Sequence, residues 1–404
     1  SRTFVVSSRT FDQPEKEGDA VKVAVLGYGT VGAGVYSMLS DAPGMEAGPV
    51  LVRPGKAVES FMVSDAALIF GDPTVDAVVE TLGGLDPAYS YGMRALESGK
   101  HFITANKAMV AAHGLELAAL AREKGAAFLF SAACGGGVPF LHNLALSAET
   151  DRIEAVSGIL NGTTNYMLDA MQRRGLSYGD ALREAQSLGY AESDPTADVS
   201  GLDALRKMQL ACAVAFGVLP QSGMLCEGME HFTAADVEDI QSRGLVCRLM
   251  ARGSRAGESV SAYVEPVLFP RAAPESSVFT NNNMACYTGK RCGSIVLMGQ
   301  GAGRFPTASA VLRDLSAAQQ GARSMFPENC RAAEADNREA VHSYYIRTGG
   351  FAAVRLPLRS VLAQGEVVRA VTEPMSAEKM HALAQNIRKD GNDLFFAALE
   401  EELC

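Results

Sequence analysis

Residues 21–32 read VKVAVLGYGTVG, and this stretch decides the fold. An apolar run leads directly into the pattern Gly-x-Gly-x-x-Gly, and a helix-like segment follows. In such a turn Gly27 permits the tight bend, Gly29 lets the backbone approach a pyrophosphate, and Gly32 allows a helix to pack closely on the sheet. The partial positive charge of the helix N-terminus then faces the phosphates. The stretch predicts a dinucleotide site that includes Gly27, Gly29, Thr30, Val31 and Gly32.

Short apolar runs alternate with helical patterns from residue 21 to residue 131. The predicted strands lie at 21–26, 50–53, 67–70, 75–80, 102–105 and 126–130, and the predicted helices at 31–40, 88–97 and 109–124. Buried strands that alternate with helices are typical of a parallel sheet covered on both faces. The sequence therefore predicts an α/β fold with a doubly wound parallel sheet.

The pattern changes after about residue 150. A long strand is predicted at 152–160, with helices near 164–174, 178–188 and 202–216, followed by extended segments up to 298. From residue 344 the order is strand, irregular segment, strand, helix and strand. We divide the chain into a polar N-terminal tail (1–20), a dinucleotide-binding domain (21–150), a second domain (151–299) and a C-terminal region (340–404).

Composition excludes several classes of protein. The 404 residues carry a formal net charge of −10 and have no run of Lys and Arg, which argues against nucleic acid as a partner. No stretch approaches the roughly 20 apolar residues of a membrane span. Eight scattered cysteines without a C-x-x-C pair are typical of reduced thiols, so we expect a cytoplasmic protein.

The choice between NAD and NADP depends on residues 50–56, VLVRPGK. A carboxylate about 20 residues beyond the glycines would bind the ribose 2′-hydroxyl, but none is present here. Arg53 and Lys56 could instead bind a 2′-phosphate, although basic residues near a strand end are also common on surfaces. We predict NADP, with NAD still open.

Two lysines are candidates for catalysis. Lys107 follows a predicted parallel strand, at the sheet edge where ligands of such folds bind, although it could also be an exposed lysine at a helix start. Asp203 and Lys207 are four residues apart on one helix face. An exposed ion pair is the ordinary explanation for this spacing. The nearly apolar remainder of the helix favours burial, and buried charged pairs are often functional.

Two loops remain ambiguous. Residues 189–198 carry Glu192, Asp194 and Asp198, which form either a solvated acidic turn or a site for an ammonium group. Cys134 precedes three glycines and has no partnering histidine motif, which argues against a nucleophilic role. The backbone carbonyls of such a turn suit a hard cation better.

Several longer strings resemble homoserine dehydrogenases, in collinear order over roughly residues 21–320. Besides the glycine turn they are VETLGG (79–84), TANKA (104–108), GILNGTTNY (158–166), AQSLGYAE (185–192), GLDALRK (201–207) and GAG with PTA (301–303, 306–308). The strings between 158 and 207 are the most specific.

The resemblance implies reversible, NAD(P)-dependent conversion of L-homoserine to L-aspartate 4-semialdehyde, in the synthesis of threonine, methionine and isoleucine. It also implies a Rossmann-type domain that is completed near residues 300–335, a mixed α/β domain for catalysis and dimerisation, and a homodimer or homotetramer. Carried over by position, the cofactor would contact Gly83 and Gly303, with Gly303 near the nicotinamide.

The same resemblance assigns roles in the substrate pocket. Glu192 and Asp203 would hold the amino and hydroxyl end of the substrate, and Thr163, Tyr190 and Asp198 would line the pocket. Lys207, with Lys107 as the alternate, would be the acid–base group. This role requires a lysine pKa near neutrality, which burial and a second ammonium group promote.

Two departures from the family pattern matter. Ser131 stands where the family usually has a Glu that helps to bind a monovalent cation, so only the carbonyls of Cys134 and Gly136 remain as weak ligands. Residues 340–404 resemble an ACT domain, but TGGFAAVR (348–355) lacks the acidic ligand loop. We predict a degenerate ACT-like region without feedback inhibition.

The alternative functions are a catalytically silent NADP-binding regulator and a semialdehyde dehydrogenase that uses Cys134 as its nucleophile.

Overall fold

The computed structural model describes residues 20–400. The predicted polar tail therefore lies, apart from residue 20, outside the described residues, as do residues 401–404. Within the described part, no helix is both long and apolar enough to cross a membrane.

The secondary structure elements follow in chain order. The strands are β1 (Val21–Leu26), β2 (Met45–Leu51), β3 (Met62–Val63), β4 (Ala77–Glu80), β5 (His101–Thr104), β6 (Phe128–Leu129), β7 (Ile153–Ile159), β8 (Val218–Ser222), β9 (Leu225–Cys226), β10 (Leu245–Ala256), β11 (Ser259–Pro270), β12 (Asn282–Gly289), β13 (Gly293–Gln300), β14 (Arg331–Glu334), β15 (Val341–His342), β16 (Tyr344–Gly349), β17 (Leu358–Ala363), β18 (Val367–Thr372), β19 (Met375–Ser376) and β20 (Leu394–Leu399). The helices are α1 (Thr30–Leu39), α2 (Ala67–Phe70), α3 (Ala88–Glu97), α4 (Lys107–Lys124), α5 (Phe140–Thr150), α6 (Gly162–Arg174), α7 (Tyr178–Ser187), α8 (Thr196–Val199), α9 (Leu202–Phe216), α10 (Ala234–Ser242), α11 (Arg304–Gln319), α12 (Gly350–Ala353) and α13 (Ala377–Lys389).

The first six strands form a parallel sheet in the order β3-β2-β1-β4-β5-β6. This is the strand order of a Rossmann fold, in which dinucleotides bind where the order reverses, here between β1 and β4. The predicted doubly wound parallel sheet is confirmed. Its central strand β1 is buried along residues 23–26, which explains the continuous apolar run.

One of the predicted strands is wrong. Residues 67–70 form the short helix α2, whose first backbone N–H donates to the Asp65 carboxylate at 2.8 Å. A four-residue apolar run does not distinguish a strand from a helix turn, and here the carboxylate just before it starts the turn.

The second sheet has ten strands, all of which follow residue 150. Its order is β13-β12-β7-β10-β11-β20-β16-β18-β17, and β9 pairs with β11. Helix α9 packs on β7, β10 and β11 of this sheet. Most of its residues are buried, as its apolar sequence predicts.

After β13 the chain returns to the first sheet. The backbone N–H of Gly137 donates to the Gln300 carbonyl at 3.0 Å, and the N–H of Phe128 donates to the Arg323 carbonyl at 2.8 Å. Helix α11 then packs against α1. Residues 304–326 thus return the chain to the first sheet and its helices.

Residues 340–400, which we call the C-terminal unit, extend the second sheet. Their main elements follow the order strand, helix, strand, strand, helix, strand, with β20 pairing in parallel with β11 through Val267 and Leu268. Helix α12 is a single turn with no acidic residue in it. The assignment of this unit to the ACT domains stays a prediction.

Candidate active site and cofactor cleft

The glycine turn after β1 has the geometry that phosphate binding needs. Gly27 has a φ of +100°, and a Cβ at Gly32 would lie 2.1 Å from the Gly27 carbonyl oxygen, so both positions require glycine. A Cβ at Gly29 would meet nothing within 4 Å. No side chain caps α1, whose first N–H groups therefore face the open space beside Gly29.

A cleft of about 1200 Å³ opens at this turn. Gly27, Gly29, Arg53 and Lys56 all line it, so the structure brings the predicted phosphate turn and the predicted 2′-phosphate ligands together. Glu59, which the sequence analysis missed, lines the same cleft. It lies on the exposed loop before β3, beyond the spacing at which the usual ribose-binding carboxylate is sought.

A buried carboxylate holds the loop that carries Gly83. Glu80, at the end of β4, accepts hydrogen bonds from the backbone of Leu82 at 2.6 Å and Gly83 at 3.2 Å, and from the Thr104 hydroxyl at 2.6 Å. Burial raises the pKa of Glu80, although these hydrogen bonds favour the ionised form. The carboxylate anchors the loop between two neighbouring strand ends.

The next strand end positions Lys107. Asn106 caps α4 by accepting the Met109 backbone N–H at 3.1 Å, and its amide donates to the Gly84 carbonyl at 2.6 Å. Lys107 is the first residue of α4. Its backbone is thereby connected to the same loop as Gly83.

One carboxylate joins both candidate lysines. The Asp203 oxygens lie 3.0 Å from Nζ of Lys107 and 2.7 Å from Nζ of Lys207. The Lys207 ammonium also donates to the Leu160 carbonyl at 2.6 Å. The side chains of Asp203 and Lys207 are 12% exposed, whereas that of Lys107 is 34% exposed.

The electrostatics of this cluster correct one expectation. Burial opposes ionisation of Asp203, but the ammonium groups of Lys207 and Lys107 hold its pKa below the usual range. Burial alone would lower the pKa of Lys207, yet the attraction of Asp203 outweighs it and raises that pKa. The predicted fall toward neutrality is therefore wrong for Lys207, because its closest charged neighbour is a carboxylate rather than the second lysine.

Asn161 connects this cluster to the acidic loop. Its amide nitrogen donates to Asp198 at 2.7 Å and to Asp203 at 3.0 Å, while its side-chain oxygen caps α6. The sequence analysis assigned no role to Asn161 or to the Leu160 carbonyl. An asparagine directly before a helical pattern is a signal for a helix cap, so its side-chain oxygen could have been assigned to the start of α6. The contacts of its amide nitrogen with the two carboxylates left no signal in the sequence.

The acidic loop places Tyr190 and Asp198 beside Thr163. The Thr163 hydroxyl lies 2.5 Å from the Tyr190 carbonyl and 3.1 Å from the Asp198 carboxylate. These three residues therefore lie together, next to Asn161. Glu192 is exposed, and among the described contacts only its backbone carbonyl has a partner, Gln186. The structure does not bring the Glu192 side chain into the lysine cluster.

Cys134 lies at the cluster, in surroundings that disfavour a nucleophilic thiolate. Its side chain is buried and its Sγ lies 3.9 Å from the Lys207 carbonyl. Burial raises the pKa of the thiol to about 12, and the nearby lysines offset this only in part. Because the thiolate is the reactive form, the alternative that uses Cys134 as nucleophile is not favoured.

Ser131, at the expected cation site, already has a partner. Its backbone N–H and hydroxyl donate to the Asp314 carboxylate at 2.8 and 2.5 Å. Burial raises the pKa of Asp314 to about 7, so this carboxyl group is only partly ionised near neutral pH. In the described part of the chain, no group of three or more His, Cys, Asp or Glu side chains could hold a metal ion. These side chains do not fit a strong cation site.

The triple glycine contacts the predicted nicotinamide loop. A Cβ at Gly136 would lie 2.5 Å from the Gly301 carbonyl group, so these two backbones touch. Gly303 has a φ of +120° and directly precedes α11. Any side chain at Gly136 would therefore displace the segment that carries Gly303.

Comparisons with known proteins agree with this geometry. A family model for homoserine dehydrogenase matches residues 139–316, and a model for the homoserine dehydrogenase NAD binding domain matches residues 27–131. The homoserine dehydrogenase of Corynebacterium glutamicum is 38% identical over 76% of this chain and 74% of its own length. That of Pseudomonas aeruginosa is 37% identical over 73% of this chain and 71% of its own length.

A solved homoserine dehydrogenase from Thiobacillus denitrificans superposes with a TM-score of 0.84 at 29% identity, covering 95% of this chain and 98% of its own. One from S. aureus superposes with a TM-score of 0.74 at 26% identity, over 95% and 100%. The sequence matches, which extend over both sheets and include both lysines, show that the chain belongs to the homoserine dehydrogenase family.

Proposed function

We propose that the chain interconverts L-homoserine and L-aspartate 4-semialdehyde at the cluster of Lys107, Asp203 and Lys207. The observation that carries this proposal is the single buried carboxylate that binds both ammonium groups. Oxidation of a hydroxyl needs a group that takes its proton and a charge that stabilises the oxygen. The cluster offers two lysines of unequal exposure for these two tasks: one stays charged, and the other must give its proton to water before its amine can take the proton of the hydroxyl.

The cofactor cleft fits NADP, with NAD as a second cofactor. Gly27 and Gly29 face the pyrophosphate, while Arg53 and Lys56 are available to a 2′-phosphate. In NAD, a ribose hydroxyl could instead donate a hydrogen bond to the Glu59 carboxylate in the same cleft. When bound, the nicotinamide accepts or returns the hydride of the substrate carbon.

The two lysines have different tasks. Lys207 stays protonated, because Asp203 raises its pKa, and it is fixed by the Leu160 carbonyl. It therefore stabilises negative charge on the substrate oxygen. Lys107 is more exposed and has Asp203 as its described ion-pair partner, so it can exchange a proton with water. We assign proton transfer to Lys107, which reverses the preference drawn from the sequence.

The remaining polar groups bind the substrate. Asp198, Thr163 and the Tyr190 carbonyl form one wall of the pocket, and oxygen acceptors of this kind suit the ammonium group of an amino acid. We assign Glu192 to the same ammonium group from the exposed side of the loop. The carbonyls of Cys134 and Gly136 could hold a monovalent ion only weakly, so we expect little dependence on sodium or potassium.

We also infer a homo-oligomer, a dimer or a tetramer, with the second sheet at the contact. The edge strand β13 exposes Val296 and Met298, which are 49% and 59% accessible. Apolar side chains in a row on an edge strand favour contact with a second copy.

The test is an absorbance assay of the purified protein with homoserine and NADP, then with NAD, comparing Lys107→Ala and Lys207→Ala. Each substitution should lower kcat by about 100-fold or more. Methylamine should partly restore Lys107→Ala, because the missing amine is open to water, but not Lys207→Ala. Normal turnover in both variants would refute the site, and selective rescue of Lys207→Ala would exchange the two roles.

A further inference from the structure

We propose that Arg388 of the C-terminal unit acts, through Glu227, as a positioning residue for the aspartates of the active site. The relevant stretch is the segment from Asp198 to Asp203, which joins α8 to α9. This inference rests on the proposed function, because that is where Asp198 and Asp203 are assigned to the site. It gives the C-terminal unit a part in catalysis that needs no bound effector.

The first contact is a bidentate ion pair between the C-terminal unit and the substrate domain. Arg388 on α13 donates to the two Glu227 carboxylate oxygens at 2.9 and 2.7 Å. The guanidinium also donates to the Leu394 carbonyl at 2.7 Å, at the start of β20. Glu227 is buried, so the carboxylate has little water to replace a lost partner. Two parallel hydrogen bonds fix both the position and the tilt of Glu227.

The second contact lies between the backbone beside Glu227 and the aspartate segment. The N–H of Met229 donates to the Val199 carbonyl at 2.9 Å. A Cβ at Gly228 would lie 2.2 Å from that same oxygen and 2.6 Å from the Ser200 Cα, so the two backbones touch. On the other side of Glu227, the Cys226 thiol lies 3.1 Å from the Ser200 carbonyl.

The third step runs within the segment itself. Asp198 directly precedes Val199, and Asp203 follows the left-handed turn at Gly201, whose φ is +84°. Gly201 is itself packed, because a Cβ there would lie 3.1 Å from the Cys226 sulfur. A shift of the backbone at 226–229 must therefore move both ends of the segment. Those ends hold Asn161, Thr163 and both lysines.

The chain offers a matched control in the same unit. Arg347 on β16 binds Asp236 at 2.8 Å, and both side chains are at most 9% exposed. This pair also joins the C-terminal unit to the substrate domain. Arg347 also binds Asp393 and donates to the His231 carbonyl at 2.7 Å. Among the described hydrogen bonds, none joins Asp236, Asp393 or His231 to residues 198–203.

The experiment compares Arg388→Lys, Arg388→Met and Glu227→Gln with Arg347→Lys in the full chain. We expect the homoserine KM to rise by about 3- to 30-fold in Arg388→Met, and by less in Arg388→Lys, which keeps the charge but loses the fork. The NADPH dissociation constant, measured by fluorescence, should stay unchanged because the cofactor cleft lies on the other sheet. The homoserine KM of the double variant Glu227→Gln/Arg388→Met should not exceed the higher KM of the two single variants, because both residues act through one ion pair.

A purely structural role predicts a different result. Loss of folded protein would lower apparent kcat and NADPH-binding stoichiometry while KM stayed constant. An unchanged KM in folded Arg388→Lys and Arg388→Met, or an equal rise in Arg347→Lys, would overturn the proposal. The variant Asp203→Asn distinguishes failure of the positioning proposal from failure of the proposed active site. If that variant is fully active, the site assignment is wrong, whereas if it is inactive while the Arg388 variants are normal, only the positioning is wrong.

Discussion

Asp203→Asn is the most informative single perturbation of the site. It removes the one negative charge between two ammonium groups while it keeps the size and most of the hydrogen-bonding capacity of the side chain. At 2.7 and 3.0 Å, each ammonium–carboxylate attraction is worth about 6 kcal/mol at an effective dielectric constant of ~20. The cost of burying the carboxylate offsets much of this gain.

The net loss is therefore smaller than the sum of both attractions. Removal of one member of a buried ion pair leaves the other charge unpaired, which typically costs about 3–5 kcal/mol in stability. We expect that range here, since the side chain of Lys207 is only 12% exposed. Without Asp203, burial should also lower the pKa of Lys207 below its ordinary value, because the opposing attraction is gone.

The assay is the pH dependence of kcat/KM for homoserine oxidation, followed by absorbance between pH 6 and 10, together with thermal unfolding. Asp203→Asn should lose about 100-fold or more in kcat/KM, and its profile should shift toward lower pH, because the pKa of Lys207 falls when the carboxylate is removed. Asp198→Asn is the control, because Asp198 contacts Asn161 and Thr163 and contributes less than Asp203 to the raised pKa of Lys207. An Asp203→Asn enzyme with an unshifted profile and kcat/KM within twofold of wild type would refute the electrostatic role of this carboxylate.

Four further outcomes are expected. Arg53→Glu should shift preference from NADP toward NAD, since it removes a phosphate ligand and supplies a ribose acceptor, and an unchanged ratio of the two kcat/KM values would make Arg53 a surface residue only. Glu192→Gln should raise the homoserine KM more than it lowers kcat, and a large kcat loss at constant KM would contradict its assignment to ground-state binding. The pKa of Asp314 is about 7 in the folded protein and ordinarily 3.8, so between these pH values the folded state binds a proton that the unfolded state has lost. The free energy of unfolding therefore falls as the pH rises from 3.8 to 7. Between pH 5 and pH 8, thermal unfolding should therefore show the stability of Asp314→Asn rising relative to wild type by up to about 3 kcal/mol, whereas a less stable variant at every pH would mean that the ionised carboxylate is needed. L-threonine titrated into the assay should not inhibit, because α12 offers no acidic residue at its start, and saturable inhibition at millimolar levels or below would contradict this.

Features that depend on local sequence were predictable. The glycine turn at 27–32 has the φ values and the open space at Gly29 that its pattern implies, because glycine conformations depend on neighbouring atoms in the chain. Helix α9 begins at Leu202 and ends at Phe216, as its apolar pattern predicts. Asp203 and Lys207 form their ion pair for the same reason, since four residues make one helix turn.

Two features were not predicted from the pattern, one local and one that depends on the folded chain. The run at 67–70 is as apolar as a strand, but the Asp65 carboxylate just before it accepts the first N–H of a helix. Glu59 lines the cofactor cleft at a spacing from the glycines that no motif records.

By itself, the sequence determined the parallel sheet, its phosphate turn and the types of side chain available for catalysis, because strand periodicity, glycine conformation and helix spacing are local properties. Only the tertiary structure decided which charge lies next to which. Lys107, which follows a strand of the first sheet, meets Asp203 on the helix that packs on the second sheet, and that carboxylate raises the pKa of Lys207 where burial alone would lower it. The sign of such a shift depends on the balance between desolvation and the nearest charge, and that distance exists only once the chain is folded.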